Sequence, residues 1–545
     1  MTEAAMPDAP PRRAGKREWI GLAVLALPTL LISMDVTVLY LAVPELSEDL
    51  APSSSQLLWI LDVYGFLVAG FLIAMGTLGD RIGRRKLLLA GAAAFGVASL
   101  LAAWSSSAEM LIATRALLGI AGATLMPSTL ALIRNMFHEP SQRTAAIAVW
   151  MSSFTIGMTI GPLVGGAVLE AFWWGAVFLL AVPPMVLLLA VGPVLLPEYR
   201  DPNPGKVDFA SVGLSVAAMI SLVYGVKELA KDGFAAVPLL ALVVGVALGV
   251  WFIRRQGVLA HPLLDLRLFA SRAFSASLIT LTLTLFAMSG LFFFLSQYMQ
   301  LVLGLSPFQA GLWTLPQAGG MVIAAGLTTA LVKSVRPAYV MGGGLVVAAV
   351  GFSMFTGLDG SGDLTLLVVS SVVFAVGVTP ISIMGVDMIV GSAPPERAGA
   401  ASALSETNQE FAAAIGVAVL GSVGTGVYRS VLSDTMPAGV PAGAAEAARD
   451  TLGGALEVAG TLPDATGAGL VDAARLAFVD GLHVNAVAAA GLVLVAAVLA
   501  FVLLRDVKPS DGEAAAEDTA AKDTPEGGPT GGPAADHSGS GAATA

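Results

Sequence analysis

Long apolar segments constrain the fold of this chain more than any other feature of its sequence. Fourteen of them occur in 545 residues, of which 56% are apolar and 12% are charged. Because the hydrocarbon core of a bilayer is about 30 Å thick, roughly 20 apolar residues can cross it as a helix. The sequence therefore predicts an all-α polytopic membrane protein. The predicted spans are 19–43, 56–78, 87–104, 109–133, 144–169, 173–196, 207–228, 236–253, 273–301, 308–331, 337–357, 364–391, 398–428 and 481–504.

The positions of the basic residues predict the orientation in the membrane. Cytoplasmic loops carry an excess of Lys and Arg. With a cytoplasmic N-terminus, inside segments hold 22 of the 28 basic residues, outside segments hold five, and Arg115 lies within a span. We therefore expect a multi-pass protein of the bacterial cytoplasmic membrane with both termini in the cytoplasm. The outside residues are Lys227, Lys231, Arg429, Arg449 and Arg475.

The order of the spans indicates two six-helix bundles with two extra helices between them. Six plus six helices around a midplane site suit a transporter that works by alternating access. The last segment has almost no large apolar side chains, which predicts disorder. The predicted parts are a cytoplasmic basic tail at 1–18, the N-terminal bundle at 19–200, the extra pair at 207–255, the C-terminal bundle at 272–505 with an external insertion at 430–480, and a cytoplasmic tail at 506–545.

Residue types missing from the chain exclude several kinds of chemistry. There is no cysteine, so no disulfide, thiolate metal site or cysteine nucleophile can form. The four histidines are scattered, and no phosphate-binding Walker A stretch is present. We expect no cofactor, no metal site and no enzymatic activity. The expected partners of this monomer are small organic cations, protons and the lipid bilayer, without nucleic acid.

Glycines at a spacing of four mark the fifth span. Gly157, Gly161 and Gly165 share one helical face, and small residues at this spacing allow a second helix to approach closely. Pro162 is expected to bend the helix. The stretch GMTIGPLVGG resembles the antiporter motif of the major facilitator superfamily. That resemblance implies a major facilitator fold and export against an incoming ion.

The loop after the second span resembles a second motif of the same superfamily. GTLGDRIGRRK carries Asp80 and Arg81 at the positions that, in the family, help to hold the two bundles together in the outward-facing state. MDVTVLYLAVP in the first span, with Asp35, resembles the signature of fourteen-helix drug:proton antiporters. The family's asparagine is replaced by Tyr40. The wider pattern is most similar to Qac-type quaternary ammonium pumps.

Two opposite charges are predicted at similar depth in the membrane. Asp35 lies roughly 13 Å from the outer end of its span and Arg115 about 9 Å from the outer end of the fourth, at 1.5 Å per residue. Charges in hydrocarbon need partners and usually mark ion or substrate paths. We expect an Asp35–Arg115 pair that couples protonation to conformational change, with an inert packing pair as the alternative.

Further candidates for cation binding lie on the second, ninth and thirteenth spans. Asp62 lies about 9 Å inside the membrane, between Trp59 and Tyr64, whose rings offer faces to a cation; the two aromatics are alternatively interfacial belt residues. Glu406 and Glu410 are four apart and share a helix face, which suits binding of a proton or a cation. Met288 and Phe292 are candidate lining residues of an adaptable cavity, although packing is the commoner role of such side chains.

These features together predict a proton-coupled antiporter. Its substrates would be lipophilic organic cations such as quaternary ammonium compounds, dyes and antiseptics. A dedicated exporter of one antibiotic or endogenous metabolite remains the close alternative, and a transporter-like sensor is a further one. Asp387, near the inner end of the twelfth span, and the insertion at 430–480 have no assigned role.

Overall fold

The computed structural model describes residues 13–200, 208–232, 235–259, 262–360, 363–392, 398–505 and 507. All regular elements in this part of the chain are helices. The predicted tail at 506–545 and the start of the predicted basic tail at 1–18 lie outside the described residues, apart from Val507. The helices are α1 Lys16–Leu50, α2 Ser54–Ile82, α3 Arg84–Ala103, α4 Ala108–Met136, α5 Pro140–Ala171, α6 Ala176–Leu179, α7 Val182–Leu195, α8 Phe209–Asp232, α9 Ala236–Gln256, α10 Arg272–Gln297, α11 Pro307–Leu312, α12 Leu315–Leu331, α13 Pro337–Met354, α14 Leu364–Gly391, α15 Ala398–Thr435, α16 Ala442–Asp450, α17 Leu452–Thr461 and α18 Asp464–Leu503.

Thirteen helices of the described chain are long and apolar enough to cross a bilayer. The remaining predicted span, 308–331, is divided into α11 and α12. Pro316 stands in the first turn of α12, where a proline starts a helix without losing a backbone hydrogen bond. The predicted span 173–196 likewise consists of α6 and α7, which together count as one of the thirteen. The prediction of an all-α polytopic membrane protein is confirmed, with two spans each built from two pieces.

The start of the last helix differs from the predicted span. Hydropathy predicts a start at residue 481, where no helix-breaking residue occurs, whereas α18 begins at Asp464, directly after Pro463, and continues for 40 residues. The predicted insertion at 430–480 consists of α16, α17 and the first turns of α18, together with the end of α15. Hydropathy marks where a helix enters lipid, whereas the proline marks where the helix starts.

Two faces of the molecule are useful as reference points. We call the face where α1 begins and α18 ends the terminal face, and the opposite one, where α1 ends and α2 begins, the far face. In one bundle α1 packs on α5 and α2 on α4, while in the other α10 packs on α15 and α13 on α14 and α18. The bundles meet where α2 packs on α15 and α5 on α11.

The extra helices α8 and α9 form an antiparallel hairpin that also touches both bundles. Helix α8 packs on α2 and on α15. At the terminal face, the Arg255 guanidinium donates two 3.0 Å hydrogen bonds to the Asp208 carboxylate, one to each oxygen. These hydrogen bonds lower the pKa of Asp208 to about 2. The hairpin is thus closed by an ion pair just outside the membrane span.

We predict that Asp208→Asn destabilises the hairpin slightly and by the same amount at pH 5 and pH 8. A carboxylate whose pKa is lowered on folding stabilises the protein above its ordinary pKa, and that contribution is lost as the pH falls through about 2. Since Arg255 is partly exposed, the thermal midpoint should fall by only about 1–2 °C. Thermal unfolding at both pH values checks this, and a loss seen only at pH 8 would contradict it.

Candidate substrate and ion site

The glycine face of α5 allows it to lie directly against α1. A Cβ atom at any of the three glycines would overlap α1, because atoms of α1 would lie closer than 3.0 Å to it. The facing pairs are Gly157 with Leu30 and Ser33, Gly161 with Met34 and Thr37, and Gly165 with Val38. Close backbone approach through small residues is how helices pack tightly in lipid.

The opposite side of the same segment of α5 meets the other bundle. Gly311 of α11 lies against the Pro162 carbonyl, and Gly166 lies against the backbone of Pro307 and Phe308. The proline and glycines of α5 therefore lie between α1 and α11, where the bundles meet near the far face. Any movement of the two bundles relative to each other would therefore change this contact.

Asp35 and Arg115 form a buried ion pair between α1 and α4. Arg115 Nη1 lies 2.5 Å from Asp35 Oδ2, and the Arg115 side chain is 1% exposed. Arg115 Nε also donates to the Ile60 carbonyl at 3.2 Å. The guanidinium carbon lies 4.6 Å from the centre of the Tyr64 ring, a cation–π distance. The Tyr64 face is thus covered by the protein's own arginine.

Asp62 and Trp59 also contact a cation that belongs to the protein. Lys227 Nζ of α8 lies 2.8 Å from Asp62 Oδ2 and 4.1 Å from the centre of the Trp59 ring. This partner is not predicted from the sequence, where Lys227 is counted among the outside residues. The predicted span 207–228 nevertheless includes Lys227 in its last turn, and a lysine within a span needs a partner.

Glu406 and Glu410 lie on α15 beside α2, one helical turn apart. A Cβ atom on Gly65 would lie 3.8 Å from Glu410 Oε2, so the two helices are close here. Among the described residues, neither carboxylate has a basic nitrogen within 4.0 Å, although the exposed Arg134 of α4 acts electrostatically on Glu406. Unlike Asp35 and Asp62, this pair therefore has no cationic side chain as a close partner.

Other candidates occupy different surroundings. Met288 and Phe292 are partly buried on α10, and Phe292 packs edge to face on Phe374 at 5.9 Å between ring centres. Tyr40 is also partly buried, next to the core. Asp387 is exposed near the end of α14. Phe292 is thus engaged in aromatic packing within its own bundle.

The loop between α2 and α3 is held by charged contacts at the terminal face. Asp80 lies 2.6 Å from Arg84, whereas Arg81 is exposed. Gly83 has φ +113°, a conformation that a side chain would strain. A Cβ there would also overlap the carboxylate of Glu198, which accepts a hydrogen bond from the Arg85 N–H at 3.1 Å. The loop is thereby fixed to the end of α7.

Comparisons with known proteins agree with this architecture. The family model of the Major Facilitator Superfamily matches residues 25–417. The multidrug efflux pump LfrA of Mycolicibacterium smegmatis is 48% identical over 90% of this chain and 97% of its own length. The methyl viologen resistance protein SmvA of Salmonella typhimurium is 33% identical, over 88% and 96%.

A solved structure shares the fold at low sequence identity. A bacterial homologue of the human lysosomal transporter Spinster, in an inward-facing and unoccupied conformation, superposes with a TM-score of 0.63 at 17% identity. The match covers 90% of this chain and 98% of the other. The predicted family and fold are confirmed, and the chain is a transporter rather than an enzyme.

We predict that Gly161→Val destabilises the protein, whereas Gly319→Val does not. Both changes place a β-branched residue in a helix, but Gly161 faces Thr37 and Met34, while a Cβ on Gly319 meets nothing within 4 Å. Overpacking of this kind costs about 1–3 kcal/mol. Thermal midpoints of the two purified variants measure the difference, and equal midpoints would show that α5 and α1 are not closely packed.

Proposed function

Because this chain belongs to the major facilitator superfamily, we propose that it is a proton-coupled antiporter that exports lipophilic organic cations by alternating access. The proposed substrates are quaternary ammonium compounds, dyes and antiseptics. Its similarity to a multidrug efflux pump along nearly the whole chain supports the export of drugs. The observation that carries the choice of cations is the Glu406–Glu410 pair.

Glu406 and Glu410 have the properties required for exchange of a proton and a cation. They lie in a helix that crosses the membrane, share one face, and have no basic nitrogen within 4.0 Å among the described side chains. A charged carboxylate in such surroundings is costly unless it binds a proton or a positive charge. A proton and an organic cation therefore compete for the same two groups.

The direction of transport follows from this competition. Protons entering from outside neutralise the carboxylates and release the cation, while binding of a cation from the cytoplasm releases protons. The Asp35–Arg115 pair is proposed to couple protonation to rearrangement, since it joins α1 to α4 within the N-terminal bundle. Inward movement of net positive charge gains about 2.3 kcal/mol per charge per 100 mV of membrane potential.

We place both termini in the cytoplasm and the far face outside, as the basic residues indicate. Contacts between the bundles near the far face would then close the outer entrance. Gln300 Nε2 of the C-terminal bundle donates to the Leu41 carbonyl of α1 at 3.0 Å. Leu58 of α2 lies against Gly421 of α15. Opening to the outside would require these contacts to separate, together with the contact between α5 and α11.

We predict that Asp35→Asn and Glu406→Gln each reduce gradient-driven ethidium transport by about tenfold or more, since each removes an ionisable group within the membrane. The assay uses purified protein in liposomes with an acidic interior and follows ethidium uptake. Ethidium is a permanent cation, so it does not redistribute as a weak base.

Glu446→Gln serves as the matched control, because Glu446 is exposed on α16 outside the membrane spans. This variant should transport as wild type does. Full transport by Asp35→Asn and Glu406→Gln would refute the assignment of the carboxylates. Absence of ethidium transport by folded wild-type protein would instead favour a dedicated exporter of a neutral or anionic compound.

A further inference from the structure

Helix α8 carries a buried lysine in the last turn of its membrane span, and the proposed exchange at Glu406 and Glu410 does not use it. The Lys227 side chain is 1% exposed, and Nζ lies 2.8 Å and 3.1 Å from the two oxygens of Asp62. The same nitrogen lies 4.1 Å from the centre of the Trp59 ring. A carboxylate beside an aromatic face is a suitable site for an ammonium or quaternary ammonium group. Lys227 thus occupies a cation site with the protein's own ammonium.

The Asp62 site lies at the junction of the two bundles. Phe66 of α2, Val223 of α8 and Ala418 of α15 form one buried apolar cluster directly next to it. Gly65 follows Asp62 by three residues, roughly 4.5 Å along the helix, and it faces Glu410. Asp62 and Glu410 therefore lie at neighbouring depths of the interface between the two bundles.

A water-sized cleft borders the lysine on the side of the far face. A cleft between α2, α8 and α15 is lined by Lys227 together with Ser55, Ser422 and Arg429. The pair is therefore not sealed within one bundle. Lys227 lines this cleft and Asp62 does not, so the ammonium lies between the cleft and the carboxylate.

We propose that Lys227 is a specificity-determining residue, a tethered ammonium that closes the Asp62–Trp59 site to organic cations and disfavours doubly charged substrates. The inference rests on the proposed function, because it concerns the cations that the same interface accepts. The electrostatic energy of a ligand is its charge multiplied by the local potential. Removal of one fixed positive charge therefore favours a dication twice as strongly as a monocation.

The test compares ethidium, a monocation, with methyl viologen, a dication, on the full-length protein. Dissociation constants of both are measured for wild type, Lys227→Met, Lys227→Arg and the double variant Asp62→Asn/Lys227→Met. In Lys227→Met, the affinity for methyl viologen relative to ethidium should rise by about fivefold or more. Lys227→Arg retains the charge and should keep the wild-type ratio, and the double variant should return to it because both charges are gone.

An unchanged ratio in folded Lys227→Met would overturn the proposal, as would a raised ratio that persists in the double variant. Should Lys227→Met fail to fold, Lys227→Gln takes its place with the same two outcomes, because it keeps a hydrogen-bond donor for Asp62 without the charge.

Transport of both cations in liposomes is measured separately from binding. Wild-type protein that transports neither cation, while Lys227→Met still shows the raised binding ratio, would overturn the proposed function and leave the role of Lys227 intact. Equal loss of affinity for both cations in Lys227→Met would assign the lysine a purely structural role.

Discussion

Hydrocarbon cannot solvate a charge, and this constraint accounts for the interior of the molecule. Several carboxylates lie within helices that cross the membrane, among them Asp35, Asp62, Glu406 and Glu410, and a carboxylate in hydrocarbon needs a positive charge or a proton as its partner. Asp35 and Asp62 satisfy this requirement with Arg115 and Lys227. Removal of one partner from a buried pair costs about 3–5 kcal/mol, so these pairs fix the packing of α1 on α4 and of α2 on α8. Glu406 and Glu410 have no basic nitrogen within 4.0 Å among the described residues, which is why we propose them as the groups that bind ligands.

Small residues make that arrangement of charges compatible with movement. Glycines on α5 bring its backbone against α1, and Gly311 brings α11 against Pro162. Contacts of this kind contain few interlocking side chains, so two helices can separate or shift without repacking a large core. The rigid charge pairs lie within one bundle or join it to α8, whereas the glycine contacts also join the two bundles.

Much of this architecture can be predicted from the sequence, because lipid imposes a helix on every long apolar segment. Helical spacing places Glu406 and Glu410 on one face, and helical rise puts Asp35 and Arg115 at similar depth. Lys227 could not be placed in the same way. Neither spacing nor depth tells which bundle an inserted helix will face, so its pairing with Asp62, which is 165 residues away, depends on tertiary packing. Likewise, hydropathy predicts the lipid-facing part of α18 but not its start at Asp464, directly after Pro463.

Helix α18 has a further, practical consequence. Its 40 residues extend about 60 Å at 1.5 Å per residue, twice the thickness of the hydrocarbon core. Together with α16 and α17 it gives the far face a helical projection that belongs to the C-terminal bundle, although α17 also touches α1. Two similar six-helix bundles inside a detergent micelle are difficult to orient in electron micrographs. This projection breaks their apparent twofold symmetry, so it provides an alignment marker and an epitope for antibody fragments.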